Sequence, residues 1–599
     1  MPPALIVLCS DNSEVPDICI SKIAQFLGLE YKFILMNDLK EKVSQLVQEK
    51  TQKLSMAMSC STLVKLFRQG GLNIFEDLLK EWNLSVLIYC VTPRMSASEV
   101  LCGITGSVVK GISRFNDNNH QYNINVESRQ IAGQFGGLSF GPINNKCDFQ
   151  FDIPDVPDPP TVVESIITAN NKPMFVRIRK YRSEIFLLAV GEILDIDEYI
   201  HQPLSTEEHF SRLIPVMMFL KYNFGDYCWH CESPRACFMI DDPLLRMEYG
   251  FLNYELLLRT LQKQQMCASI AFIPWNCRRT SKEVANLLLS HPDRYSLSIH
   301  GCDHNRAEFG STDQKLLSNK AIKALQRMHV HRQLSGVPFD EVMVFPQGIF
   351  TTTAMKALKS CGYRAAVNTT PYPIDVADNP ITLAELLDVA VTKFSNLPLF
   401  VRHYPKNLAE MALTLFLGQQ VLLVGHHGYF RKGYEGLAEF VDKLNALDGR
   451  LEWTNLANIC TRACLTKRAE RGEIYVRFYT DTFWLQNNAR RNRTYVLFRR
   501  QVPEKSVTCV TVNGQFADFG QEADWLKIQL ALGALESAEI RIEYGGSEQA
   551  AITSAPMLMH NIKTLVRRFL SEFRDNYLDT NWLLTKAIST AQSFHTRRK

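Results

Sequence analysis

Long apolar runs, runs of one charge and ordered cysteine spacing are all scarce in this chain. Its 66 basic and 62 acidic residues leave a net charge of only +4, with no long basic run and no nucleic-acid motif, so nucleic acid is not an implied partner. No apolar run nears the roughly 18–20 residues that would span a bilayer. The N-terminal MPPALIVLCSDNSEVPD has a short apolar run, no positive region before it and acids soon after it, which is not the pattern of a signal peptide. A soluble chain in the cytoplasm is the expectation. The 16 cysteines follow no regular spacing, which suits reduced thiols better than a disulfide framework. Internal repeats and low-complexity tracts are absent too.

What the chain has is length. At 599 residues and 46% hydrophobic it exceeds the roughly 250–300 residues that one core usually reaches, so about three domains are expected. Residues 1–200 alternate short apolar strands (ALIVLC, KFILM, VLIYC) with amphipathic stretches, the pattern of a three-layer α/β accessory domain, flavodoxin-like or amidotransferase-like, through which the chain could oligomerise. Near its end MFVRIRKYRSEIFLLAV reads as a hairpin turning at Tyr181-Arg182-Ser183. The proline-dense DIPDVPDPP, residues 152–160, reads as an extended surface connection. A linker is expected over 201–235, and a β/α barrel over 236–465, where ACFMI, CASIAFI, YSLSI, EVMVF, RAAV and QQVLLV are spaced by helix-length segments. Alternating strands over 466–550 suggest a small antiparallel β domain, and 551–599 a helical tail with a frayed basic end.

In a parallel barrel the loops at the carboxyl ends of the strands converge on one mouth, so the residues that follow each apolar run are the informative ones. ACFMI is followed by Asp241-Asp242-Pro243, YSLSI by His300-Gly-Cys-Asp-His304, EVMVF by Pro346-Gln347-Gly348, and QQVLLVG by His426-His427-Gly428. Histidines at i and i+4 can present nitrogens to one ion, and a carboxylate from a neighbouring strand completes a facial His-His-Asp site with open positions for water and substrate. A second carboxylate can act as general base, and a histidine across the site can protonate a leaving group. Singly each motif has a plainer reading: Asp-Asp-Pro as a helix cap and turn, His-x3-His as two satisfied histidines, His426-His427 as a polar loop. Their order on successive strand ends favours the site.

At these residues the sequence resembles the polysaccharide deacetylases of the NodB homology group, carbohydrate esterases that remove N- or O-acetyl groups from sugars. Met239-Ile240-Asp241-Asp242 is similar to the family's opening Thr-Phe-Asp-Asp motif, which implies Asp241 as base and Asp242 as metal ligand. The His-x3-His match implies His300 and His304 as the other ligands, and VLLVGHHG resembles the motif that supplies the acid, here His426 or His427. Pro346, Gln347, Gly348 and Tyr429 are the implied substrate-side residues, with backbone amides near Gln347-Gly348 as oxyanion donors. One divalent ion is implied, zinc first, with cobalt or nickel as alternatives. The implied substrate is a carbohydrate or other acylated amino sugar. The match spans residues 236–460 and has departures: no arginine stands near Pro346, the last motif is longer by one residue, and Asp242 is followed directly by Pro243. The missing arginine motivates a rival expectation, a catalytically silent carbohydrate-binding protein; glycoside cleavage is a third.

Two cysteine motifs carry weaker expectations. Cys90 ends a strand as an amidotransferase nucleophile would, but YCVTPR lacks the flanking glycines of a strained nucleophile elbow, so an incidental thiol is expected. Cys228-Trp-His-Cys231, with Cys237 beyond, competes as a zinc or redox site but has neither a fourth ligand nor a helix-opening context. Cys460 and Cys464 are expected to be plain buried apolar residues.

Overall fold

The computed structural model describes residues 4–10, 13–39, 41–42, 54–154, 162–200, 209–501, 506–545 and 558–578. Contacts divide the chain into two compact units. One comprises 1–230 with 382–384 and 466–475, the other 231–381 with 385–465 and 476–599.

In the first unit nine strands form one sheet, in the order Tyr31–Leu35, Leu5–Cys9, Leu54–Ser59, Leu84–Tyr89, Ser183–Leu188, Lys172–Lys180, Val162–Ala169, Asn119–Ile124, Ser139–Asn144. The first five are mutually parallel and the rest run antiparallel. The flavodoxin-like expectation is thereby corrected to a mixed sheet. The reason lies in short turns that need no crossover helix: Asn170 and Asn171, both with positive φ (48° and 62°), form a two-residue reversal of the kind that suits a twisted hairpin, and Tyr181 (φ 57°) turns the next hairpin. The stretch 152–160 lies mostly outside the described residues.

The linker expected over 201–235 is also corrected. A helix, Phe210–Phe224, occupies the middle of that span and buries eleven residues, among them Leu213, Ile214, Val216, Met217, Met218, Phe219 and Leu220. A helix apolar around most of its circumference belongs inside a core.

The second unit is built on an eight-stranded parallel sheet, of which seven strands are numbered here in chain order: β1 (Arg235–Asp241), β2 (Ala268–Phe272), β3 (Tyr295–His300), β4 (Val342–Val344), β5 (Ala365–Asn368), β6 (Leu399–Val401) and β7 (Val421–His426). The seven pair in the order β6-β5-β4-β3-β2-β1-β7, and the short Glu452–Trp453 pairs with β1 off this path. A parallel bridge from His403, just after β6, to Leu423 in β7 joins the two ends of the sheet. Every residue of β2, β4 and β5 is buried, as strands covered on both faces require. The register pairs Asp241 with His426 across β1 and β7, so the carboxyl ends of these strands lie level.

The strands Thr482–Gln486, Arg493–Arg500, Val507–Val512, Trp525–Leu532 and Ser537–Tyr544 make antiparallel pairings in the same unit. The buried Arg499 ties them to the barrel: its Nη2 lies 2.6 Å from Asp481 Oδ1 and donates to the carbonyl of Asn396 at 3.1 Å. The chain ends, among the described residues, in a helix over Leu558–Phe573 and a single wider turn over Arg574–Leu578.

Candidate metal centre

β1 delivers Asp241 as its last residue and Asp242 just beyond it; β3 delivers His300 as its last residue and His304 in the loop that follows. The loops are held in uncommon backbone conformations. Asp242 (φ 74°), His304 (φ 56°) and Gln347 (φ 58°) all sit in the left-handed region, which costs a non-glycine residue energy and persists only where the surroundings over-determine it. Gly301 (φ 65°) is needed between the histidines, since a Cβ there would lie 2.4 Å from Pro346 Cγ and 2.5 Å from Glu308 Oε2.

Glu308, buried, shapes the His-x3-His loop from beneath. Its carboxylate accepts the backbone N–H groups of Cys302 (2.9 Å), Asp303 (2.8 Å) and His304 (3.1 Å). Asp303 is in turn paired with Arg327 at 2.5 Å, and Arg327 lies over the Trp275 ring. With the loop so held, His300 Nε2 and His304 Nε2 come within 3.2 Å and 3.0 Å of Asp242 Oδ1.

The three atoms form a group of the metal-holding type, all within 4.8 Å of one another. His300 Nδ1 lies 3.0 Å from the carbonyl of Val344, which can only accept, so Nδ1 carries a hydrogen and Nε2 is the nitrogen turned toward Asp242. Asp242 Oδ1 is buried and makes no hydrogen bond with proper geometry. A buried carboxylate oxygen approached by two imidazole nitrogens is a donor set that fits a cation. Burial raises the Asp242 carboxyl, but both imidazoles outweigh it and hold the group well below the ordinary carboxylate range.

Asp241 is 4% exposed and grips Arg402 on both oxygens, at 2.6 and 2.7 Å. Burial alone would raise its carboxyl; the guanidinium, with His300, pulls it below its usual value and keeps it ionised. Arg402 follows β6 directly and is the residue that sequence reasoning missed.

The two candidate acids separate. His426 is 46% exposed, and its Nε2 lies 3.9 Å from Asp241 Oδ2. His427 is buried, stacked on Phe251 and edge-on to Tyr249, with Nε2 3.7 Å from Asp575 Oδ1. Asp575 also accepts from the Tyr249 hydroxyl at 2.7 Å.

The implied substrate-side residues do not all gather. Pro346 is buried. Gln347 is exposed, its side chain accepts the Ala307 N–H at 3.2 Å, and the Gly348 amide donates to Phe345 at 3.4 Å within its own turn. Tyr429 packs its ring on Phe238 and Phe430.

The cysteine expectations resolve as follows. Cys90 takes a strained left-handed conformation (φ 54°) without flanking glycines. Burial, reinforced by Asp17, pushes its thiol up to about 12, the wrong direction for a nucleophile. Neither Cys228 nor Cys231 belongs to a metal-type group among the described residues, and Cys460 is buried.

No protein-family model matches the chain, and no curated protein matches it. Among solved structures it is similar to Agd3, described as a novel carbohydrate deacetylase, at 11% identity over 90% of this chain and 98% of that one, with a TM-score of 0.46. It is also similar to a family 4 carbohydrate esterase from Streptomyces lividans in complex with acetate (12% identity, 37% of this chain and 92% of that one, TM-score 0.23). A third is the peptidoglycan deacetylase PdaC from Bacillus subtilis (11% identity, 38% and 89%, TM-score 0.23). At such identities the function has to come from the site's own residues. Among the described residues no helix is long and apolar enough to cross a membrane.

Proposed function

We propose that this chain is a metal-dependent hydrolase that removes an acyl group, N-acetyl from an amino sugar, with Asp242, His300 and His304 as ligands. The observation that carries the reading is the approach of two imidazole nitrogens to Asp242 Oδ1 at 3.0–3.2 Å without hydrogen-bond geometry. One carboxylate and two imidazoles suit zinc, with cobalt or nickel able to substitute. When bound, such an ion lowers the pKa of water and polarises a carbonyl oxygen.

The chain's own residues supply the proton transfers. Asp241, kept ionised by Arg402, takes a proton from the attacking water, and Arg402 holds the carboxylate in one orientation through two hydrogen bonds. His426, exposed and on the same rim, gives a proton to the departing amine, so that amide and water become carboxylic acid and amine. His427 is boxed in by Phe251, Tyr249 and Asp575 and serves structure. Arg402 removes the ground for a catalytically silent reading, which rested on the missing arginine. Asp242, committed to the two imidazoles, is not placed to flank a glycosidic bond.

The test is elemental analysis of the purified protein beside His300→Ala and Asp242→Ala, with acetate release from N-acetylated sugar oligomers assayed on the same samples. One divalent ion per chain, lost in both variants together with acetate release, is the expected result. Wild type that stays metal-free after incubation with zinc, cobalt and nickel overturns it.

A further inference from the structure

The C-terminal helix is mounted with its polar side inward. Thr564, Arg568 and Asp575 are buried. Arg567 donates to the carbonyls of Asp303 (3.0 Å) and His304, Arg279 grips Glu572 at 2.5 and 2.7 Å, and Gly250 N–H donates to Asn576 at 2.8 Å. Each of these partners lies in a loop following β1, β2 or β3, so the helix rests on the rim of the barrel mouth.

Its other side is apolar and uncovered. Ile562, Leu565, Val566, Phe569, Leu570 and Phe573 are 48, 62, 52, 66, 60 and 44% exposed. The spacing i, i+3, i+4, i+7, i+8, i+11 sets them on one stripe, which runs about 16 Å along the helix. Singly exposed apolar residues are ordinary, whereas a contiguous stripe of six marks a contact surface.

Charge selects the occupant. Both acids of the segment, Glu572 and Asp575, are turned inward to Arg279 and Tyr249, whereas Lys563 is exposed beside the stripe, as is Arg574, which pairs with Asp575 at 2.7 Å. Aliphatic and phenyl groups bordered by cations, with no exposed acid between residues 561 and 578, form the pattern of a helix that lies in the interface of an anionic bilayer. We propose that this helix docks the second unit onto an anionic lipid surface. The inference stands apart from the chemistry proposed for the barrel and does not need it.

The test is co-sedimentation of the full-length protein with vesicles of phosphatidylcholine alone or mixed with phosphatidylglycerol. Binding to the mixed vesicles is expected. It should weaken by at least about tenfold in L565E/F569E, which loses two apolar anchors, and by about fivefold in K563E. Circular dichroism and melting should be unchanged, because these side chains are exposed. Three results each overturn the proposal: no binding to any vesicle, equal binding to neutral vesicles, and undiminished binding by L565E/F569E. So does light scattering that shows a wild-type dimer made monomeric by L565E/F569E without vesicle binding, which would assign the stripe to a second copy.

Discussion

Replacing Arg402 with methionine isolates what the buried pair beneath the site contributes. Both side chains are 4% exposed, and the guanidinium closes on Asp241 with bonds of 2.6 and 2.7 Å. Methionine keeps much of the volume but removes the charge and both donors, leaving a carboxylate with no counter-ion in a dry interior. Removing one partner of a buried pair costs about 3–5 kcal/mol, and in a unit of this size, with an unfolding entropy of about 2 cal/mol/K per residue, each kcal/mol shifts the melting temperature by roughly 1–2 °C. Arg402→Met is therefore expected to lower the second unit's melting temperature by roughly 3–10 °C at neutral pH. The companion variant Arg402→Met/Asp241→Leu replaces both charges by apolar groups and should recover most of the loss, since an apolar pair of similar volume is often no less stable than a buried ion pair. Neither variant should release acetate. The assay is thermal and urea unfolding by circular dichroism on the three proteins. A single variant within about 1 kcal/mol of wild type, or a double variant no better than the single, refutes the pairing.

Other expectations are narrower. His426→Asn should lower acetate release by about 10²–10⁴-fold with metal content unchanged, as loss of a general acid does, while His427→Asn stays within about tenfold; equal losses would refute the choice between them. Glu308→Ala leaves three backbone N–H groups without their acceptor, and should cost about 3–6 kcal/mol in chemical unfolding and weaken metal uptake in calorimetric titration; unchanged uptake would show that the loop holds without it. Burial pushes the half-buried Asp340 up to about 6. A raised folded pKa favours the protonated form in the fold, so this group's contribution is full below its unfolded value near 4 and is lost as pH rises through about 6. Asp340→Asn should remove that decline, worth about 1–2 kcal/mol after allowance for partial exposure, in melts taken between pH 4 and 8.

The barrel was legible because its strands are buried on both faces and so stand out as apolar runs. The polar residues after those runs fall at one mouth by the geometry of parallel strands. That rule points to Asp241, Asp242, His300 and His304, and to His426 and His427 without choosing between them. Arg402 obeys the same rule, but β6 is only three residues long and the run PLFV carries little signal; its partner Asp241 is 161 positions away. Glu308 acts on backbone amides, which have no sequence signature. The linker over 201–235 failed as an expectation because FSRLIPVMMFL has no polar face to give a helical period, although it is a helix all the same.

The C-terminal helix shows where pattern reading has a physical limit. Its 3.6-residue periodicity separates two faces without saying which one turns inward, and the usual rule assumes a hydrophobic receiving surface. Here the receiving surface is the barrel rim, lined by the carbonyls of Asp303 and His304, the guanidinium of Arg279 and the hydroxyl of Tyr249. Such a surface repays hydrogen bonds and ion pairs rather than apolar burial, because each polar group covered without a partner costs about 1–3 kcal/mol. Arg567, Glu572, Asp575 and Asn576 each find a partner on it across as many as 326 positions of chain, although Arg567 Nε and two nitrogens of Arg568 are buried without one, so the helix seats its polar face and leaves its leucines and phenylalanines outward.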